Sequence, residues 1–174
     1  RHIYEDKEQQ LWIATDGSIN RYDYATRQFI HYNIVDNTGT YNTNWTYYIF
    51  EDTAGQLWIS TCLGGIFVVD KHKLMQSTSG QYIAEQNYSV HNGLSGMFIN
   101  QIIPDNEGNV WVLLYNNKGI DKINPRTREV TKLFADELTG EKSPNYLLCD
   151  EDGLLWVGFH GGVMRINPKD ESQQ

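Results

Sequence analysis

The sequence contains no apolar run long enough to span a bilayer and no segment with the periodicity of an amphipathic helix. Basic residues are scarce as well, with 14 Lys and Arg against 22 Asp and Glu, which gives a net charge of −8. The basic residues are scattered, so no phosphate-binding surface is predicted. Nucleic acid is therefore not an expected partner. The chain starts at Arg1 without an apolar leader, and we expect it to be a piece of a longer protein.

One short segment is repeated four times. Each copy has an Asp six residues before a Trp, and three copies have a Gly three residues before that Trp. The tryptophans recur at steps of 46, 53 and 45 residues. Repeats of this length that carry short strands are typical of β-propeller blades. The repeated residues are Asp6, Trp12, Asp52, Gly55, Trp58, Asp105, Gly108, Trp111, Asp150, Gly153 and Trp156.

Strand and turn signals predict an all-β chain of fifteen strands. They form four antiparallel four-stranded meanders, of which the last lacks its fourth strand. A single propeller segment, 1–174, would contain blades at about 1–35, 45–90, 97–136 and 144–170. Residues 71–81 would be an insertion in the second blade, before a fourth strand near 82–89. The second strands are apolar on both faces, which indicates blades stacked side by side around an axis.

The repeated Asp and Gly are predicted to shape the hairpin between the first and second strands. An Asp side chain can accept backbone N–H groups two residues further on, and Gly tolerates the positive φ of such a turn. The repeated Trp is predicted to pack between blades. Cys62 and Cys149 lie two repeats apart and at different places within the repeat, so two separate thiols are expected.

Several motifs resemble the two-component regulator propeller repeat. They are found at residues 52–59, 61–66, 69–70 and 92–95. The resemblance implies part of a seven-bladed propeller in the periplasmic region of a hybrid two-component sensor histidine kinase. It also implies sensing of carbohydrate breakdown products by a segment that has no cofactor and catalyses no reaction. Its partners would be an oligosaccharide, the remaining blades and a membrane-proximal domain.

Ligand-binding residues are expected on the face where the second-to-third-strand loops meet the blade-to-blade connections. Aromatic rings beside amides suit a sugar. Trp45, Phe98 and Tyr146 are taken to be equivalent entries into first strands, and packing is as reasonable a role for them as binding. The candidates are Trp45, Phe98, Tyr115, Asn117, Tyr146, Phe159 and His160.

Two alternatives stay open. A streptogramin-lyase-like enzyme would need a catalytic His and a metal, and only His160 is placed for this role; the five histidines share no ligand spacing, so no metal site is predicted. A non-catalytic interaction scaffold would expose apolar blade flanks, and self-association into a homo-oligomer is then expected.

Overall fold

The structure, a computed structural model, describes residues 1–78, 80–115 and 119–173. This part of the chain contains seventeen strands and one α-helix, and the strands form four antiparallel sheets and one small parallel pair. The first blade contains β1 His2–Glu5, β2 Leu11–Thr15, β3 Ser18–Asp23 and β4 Gln28–Tyr32. The second contains β6 Thr46–Glu51, β7 Gln56–Thr61, β8 Ile66–Asp70 and β10 Gln86–Tyr88. The third contains β11 Ile99–Pro104, β12 Val110–Leu114, β13 Ile120–Asn124 and β14 Glu129–Leu133. The fourth has three strands, β15 Pro144–Cys149, β16 Leu155–Phe159 and β17 Gly162–Ile166. The predicted all-β fold, with propeller blades and an unfinished last blade, is confirmed.

The insertion in the second blade differs from the prediction. It contains a helix, α1 Lys71–Gln76, whose N-cap is Asp70; the Asp70 carboxylate accepts the Lys73 N–H at 3.0 Å. A helix of six residues is too short to show periodicity in the sequence. The expected fourth strand is divided into β9 Tyr82–Ile83 and β10, and β9 pairs in parallel with β5 Ile34–Val35. This pair ties the connection after the first blade to the insertion.

Packing between blades forms three apolar clusters. Ile59 of β7 belongs to the cluster between the first and second blades, whereas the adjacent Trp58 belongs to the next cluster. The same alternation places Val112 in the second cluster and Trp111 in the third. The second strands are therefore buried on both faces, and each such aliphatic side chain stabilises the stack by about 1.5–3 kcal/mol.

Each repeated Trp is hydrogen bonded to the repeated Asp of its own hairpin. The Trp Nε1–H donates to an Asp Oδ2 in all four repeats, at 2.9, 2.9, 2.9 and 2.6 Å in chain order. The other oxygen, Oδ1, accepts the backbone N–H four residues after the Asp, and in the first three repeats also the N–H two residues after it. One carboxylate thus fixes both the turn and the indole. We refer to each Asp–Trp pair as a clasp; the four are Asp6–Trp12, Asp52–Trp58, Asp105–Trp111 and Asp150–Trp156.

The turn position before each clasp Trp has a positive φ. Gly55, Gly108 and Gly153 have φ values of 78°, 85° and 81°, and Gln9 adopts 62° at the same point in the first repeat. Gly reaches this region without steric cost, whereas a side chain there is strained. The repeat therefore has a glycine at this position because the turn requires a positive φ.

A buried ammonium group joins the first two blades. Lys71, with no exposed side-chain surface, places Nζ 3.1 Å from Asp6 Oδ2, 2.8 Å from Glu51 Oε1 and 3.6 Å from Glu8 Oε2. Burial opposes ionisation of Asp6, but the Trp12 N–H, the Gln10 N–H and Lys71 together lower its pKa. The ion cluster connects the first clasp to the start of α1.

The motif at residues 92–95 is held by a buried carboxylate. Asp121 Oδ2 accepts the Ser95 N–H at 2.7 Å, and Oδ1 accepts the Ser95 hydroxyl at 2.6 Å. The Asp121 side chain is fully buried, and burial raises its pKa while the bonds from Ser95 act in the opposite direction. The carboxylate therefore fixes the connection that leads into the third blade.

This environment predicts a pH-dependent effect of Asp121→Asn. An amide can retain both contacts with Ser95 if the hydroxyl rotates, and it has no charge to bury. The folded-state pKa of Asp121 is raised. Burial of the ionised carboxylate therefore lowers the stability of the wild type at pH values above that pKa, whereas below the unfolded value of about 3.9 the carboxyl is neutral in both states and there is no such loss. The stability of the wild type relative to the variant should fall as pH rises from about 4 to about 7. Urea unfolding across that range measures this. Asp23→Asn, at the end of β3 next to an exposed turn, should not show the trend, and a parallel trend in both variants would contradict the assignment.

Candidate ligand site

The first strands of neighbouring blades lie side by side. β1 contacts β6, β6 contacts β11, and β11 contacts β15. This arrangement places them next to the propeller axis, with the other strands further out. Residues at the start of these strands therefore face the axial opening from successive blades.

A β-bulge occurs at the same place in three of these strands. The pairing register shifts between Thr46 and Tyr48, and equivalent shifts leave Asn100 and Asn145 unpaired in β11 and β15. The unpaired residue of β6 is Tyr47. Bulges bend a strand and redirect a side chain. They give the second, third and fourth blades one redirected residue each at the axial opening.

Arg1 takes the corresponding position in the first blade. Tyr4 lies opposite Trp12, as Phe50 lies opposite Trp58, so Arg1 precedes Tyr4 by the same three residues that separate Tyr47 from Phe50. Four equivalent positions thus carry an arginine, a tyrosine and two asparagines.

A cavity of about 570 Å³ is lined by these four residues, which we call the first row, and by the residue that follows each of them, which form the second row. We call it the central cavity. Its walls are two residues from each blade: Arg1 and His2, Tyr47 and Tyr48, Asn100 and Gln101, Asn145 and Tyr146. The described walls therefore combine aromatic rings, amides and one guanidinium.

In the second row, His2 and Gln101 are each held by contacts with the next blade. The His2 ring stacks on Tyr48 with centroids 3.8 Å apart, and its Nδ1 accepts the Ile49 N–H at 3.2 Å. Burial lowers the pKa of His2, in keeping with its acceptor role. Gln101 exchanges two hydrogen bonds with the backbone of Leu147, at 2.9 and 2.8 Å. These contacts hold the cavity walls in place.

The side chains of the first row (Arg1, Tyr47, Asn100 and Asn145) make fewer contacts with the protein. Within the described residues, the side-chain amides of Asn100 and Asn145 make no hydrogen bond to protein. The Arg1 guanidinium lies over the Tyr47 ring, 4.2 Å from its centroid, and pairs with the exposed Asp16 carboxylate. These groups are available to a ligand.

An apolar cleft of about 280 Å³ adjoins the central cavity. Phe98 and Tyr115 form its outer walls, with 41% and 65% of their surface exposed, and the Tyr115 N–H donates to the Phe98 carbonyl at 2.9 Å. The cleft shares Tyr47 and Asn100 with the central cavity and also contains the free thiol of Cys62. Two predicted ligand residues, Phe98 and Tyr115, thus line one cleft together with residues that are not among the candidates.

The other predicted residues are dispersed. Trp45 is half exposed and lines a separate cavity with Leu63, while Tyr146 lines the central cavity. Phe159 is partly buried against the cluster between the third and fourth blades. His160 follows it in a turn, is exposed, and lines none of these cavities. Asn117 lies outside the described residues.

The expected equivalence of Trp45, Phe98 and Tyr146 is wrong. Trp45 and Phe98 both stand five residues before the partner of a clasp Trp, whereas Tyr146 stands two residues before its counterpart, Leu148. Tyr146 instead matches Tyr48 and Gln101. The spacing to the clasp Trp already shows the difference, because Trp45 and Phe98 lie 13 residues before theirs and Tyr146 lies 10 residues before Trp156. The same count would have identified Tyr47, Asn100 and Asn145, each 11 residues before a clasp Trp.

Two negative findings apply to the described part of the chain. It contains no group of three or more His, Cys, Asp or Glu side chains arranged to hold a metal ion. It also contains no helix with the length and apolar character needed to traverse a membrane.

Comparison with known proteins places this arrangement in a wider context. The family model of the two-component regulator propeller matches residues 93–116. The chain is 95% identical, over its whole length, to part of the extracellular domain of BT4673 from B. thetaiotaomicron, a candidate one-component system, with a TM-score of 0.94. It is 20% identical over 99% of its length to the extracellular domain of BT3049 from the same organism, a candidate hybrid two-component system, with a TM-score of 0.73. The chain spans 23% and 24% of these two solved chains.

More distant structures share the fold alone. Virginiamycin B lyase from Staphylococcus aureus has a TM-score of 0.69 at 14% identity, with 99% of this chain and 53% of the lyase aligned. No curated protein matches the chain. The repeat at 93–116, the stacked blades and the near-identical solved domain lead to one family: the chain is a β-propeller segment of the two-component regulator type.

Proposed function

We propose that the chain is part of a periplasmic sensor domain that binds a carbohydrate breakdown product at the axial face. The observation that carries the proposal is the apolar cleft beside uncommitted amides. Phe98 and Tyr115 offer exposed rings to the C–H face of a sugar, and Asn100 offers a donor and an acceptor to its hydroxyls. The chain itself would bind and not catalyse.

The rest of the domain would complete the site. We infer that further blades, seven in all, continue the ring, and that the signal passes through a membrane-proximal domain of the same protein. The 95% identical relative is described as a one-component system and the 20% identical one as a hybrid two-component system. The higher identity favours a parent protein of the one-component type over the hybrid histidine kinase that the repeats alone suggest.

The lyase alternative receives no support from the described residues. His160 lies apart from the cavities, and the lyase structures resemble this chain only in fold. We therefore propose no reaction for it.

Calorimetric titration of the complete extracellular domain with neutral and acidic plant and host oligosaccharides tests the proposal. Phe98→Ala and Tyr115→Ala should each weaken binding of a responding glycan about 5–10-fold, because each removes one stacking surface worth about 1–1.5 kcal/mol. Tyr24→Ala is the matched control, because Tyr24 is similarly exposed, at 59%, but packs edge-on against Tyr22 at the outer end of the first blade. Equal losses in Tyr24→Ala and Tyr115→Ala, or no binding across the panel, would contradict the site.

A further inference from the structure

We infer that the central cavity selects an acidic saccharide, with the Arg1 guanidinium binding the carboxylate of a uronic acid unit. The inference rests on the proposed function, because it names the class of sugar that the same face would accept. Its basis is the distribution of charge around the axis.

The charge of the cavity walls is opposite to that of the chain. The protein carries a net charge of −8, yet among the described residues that line the central cavity Arg1 has the only full charge and none has a carboxylate. His2 accepts a backbone N–H and is therefore not a second cation. An anion approaching this acidic protein is therefore repelled less at the central cavity, whose lining has one guanidinium and no carboxylate, than elsewhere on the surface.

A ligand carboxylate can replace Asp16 as the ion-pair partner of Arg1. The ring contact of Arg1 with Tyr47 orients the guanidinium, whereas its ion-pair partner Asp16 has 69% of its side-chain surface exposed. Exposed ion pairs contribute little, and the planar guanidinium can form two parallel hydrogen bonds with an incoming carboxylate. The Tyr47 contact would be retained when Asp16 is displaced.

The opposite walls provide groups for the rest of the sugar. The amides of Asn100 and Asn145 are uncommitted, and Tyr146 presents a ring with 58% of its surface exposed. Hydroxyl groups require donors and acceptors of this kind, and a ring face suits the C–H surface of a pyranose. A uronic acid unit combines all three requirements in a single residue.

The test uses oligogalacturonides and glucuronic-acid oligosaccharides, each paired with the neutral oligosaccharide made from it by carboxyl reduction. Calorimetry on the complete extracellular domain should show at least one acidic member binding about tenfold or more tightly than its reduced partner, with affinity falling as salt rises. Arg1→Gln should remove most of that difference by weakening the acidic member far more than its neutral partner. Arg27→Gln makes the same change of charge at an exposed turn of the first blade and should have no effect.

Asp16→Asn provides a second variant with the opposite sign. It removes the competing carboxylate, so acidic ligands should bind more tightly, which loss of folding cannot imitate. Equal binding of acidic and reduced ligands would overturn the inference and leave the proposed function standing. Absence of binding by either class would overturn both. Binding of sulfated oligosaccharides alone, with the same dependence on Arg1, would overturn the assignment to a carboxylate.

Discussion

Replacement of Lys71 with methionine is expected to destabilise the protein by about 3–5 kcal/mol, because it leaves the carboxylates of Asp6 and Glu51 buried without their cation. Both side chains are at least nine-tenths buried, and Glu51 Oε1 lies 2.8 Å from Lys71 Nζ. Methionine fills most of the volume, so the loss would report charge and not a cavity. Urea unfolding of the domain at neutral pH measures the change.

Two further measurements isolate the charge effect. Lys73 has 66% of its side-chain surface exposed, and its ammonium group is 3.5 Å or more from its partners. Lys73→Met should therefore change stability by at most about 1 kcal/mol. The pKa of Asp6 is lowered in the folded wild type, so its contribution is present above the unfolded value of about 3.9 and is lost as pH falls. The deficit of Lys71→Met should therefore shrink as pH falls below about 4; a deficit constant with pH would point to lost packing.

Gly65→Ala is expected to cost about 2–5 kcal/mol. Gly65 has a φ of 76°, and a Cβ there would lie 2.0 Å from the Tyr88 carbonyl oxygen. The left-handed conformation costs a side chain about 1–2 kcal/mol. Relief of the clash would move β10 away from β8, at a further cost of about 1–3 kcal/mol. Tyr88 stacks on the clasp Trp58, so the displacement would reach the core between the second and third blades.

Gly17→Ala is the matched control for this substitution. No heavy atom lies within 4 Å of a Cβ built on Gly17, and its φ is not in the left-handed range. Its effect should remain within about 0.5 kcal/mol. Thermal unfolding of both variants, followed by near-ultraviolet circular dichroism of the tryptophans, would distinguish them. Similar melting temperatures for the two variants would show that β10 moves without consequence.

The blades could be predicted from the sequence because their determinants are local and repeated. An Asp six residues before a Trp, with apolar residues on both sides of that Trp, indicates a hairpin and a strand covered on both faces. The hydrogen bond between the indole and the Asp is not among the predictions, although the constant spacing of the two residues is consistent with it.

What the sequence did not predict depends on long-range pairing. The burial of Lys71 requires three acidic groups brought from two blades, and a lysine after a strand otherwise suggests an exposed residue. The parallel pair β5–β9 joins segments almost fifty residues apart. The bulges at Tyr47, Asn100 and Asn145 depend on strand pairing. Of the described residues that line the central cavity, only Tyr146 is among the predicted ligand residues, together with Phe98 and Tyr115 from the adjoining cleft.

The clasps also have a consequence for how the chain folds. Each one closes a loop of only six residues and joins a turn to the strand that follows it, so it can form before any blade meets its neighbour. Assembly can then begin at several hairpins independently and spread by stacking, as in other repeat proteins. Lys71 and the β5–β9 pair would act late, when the first two blades dock.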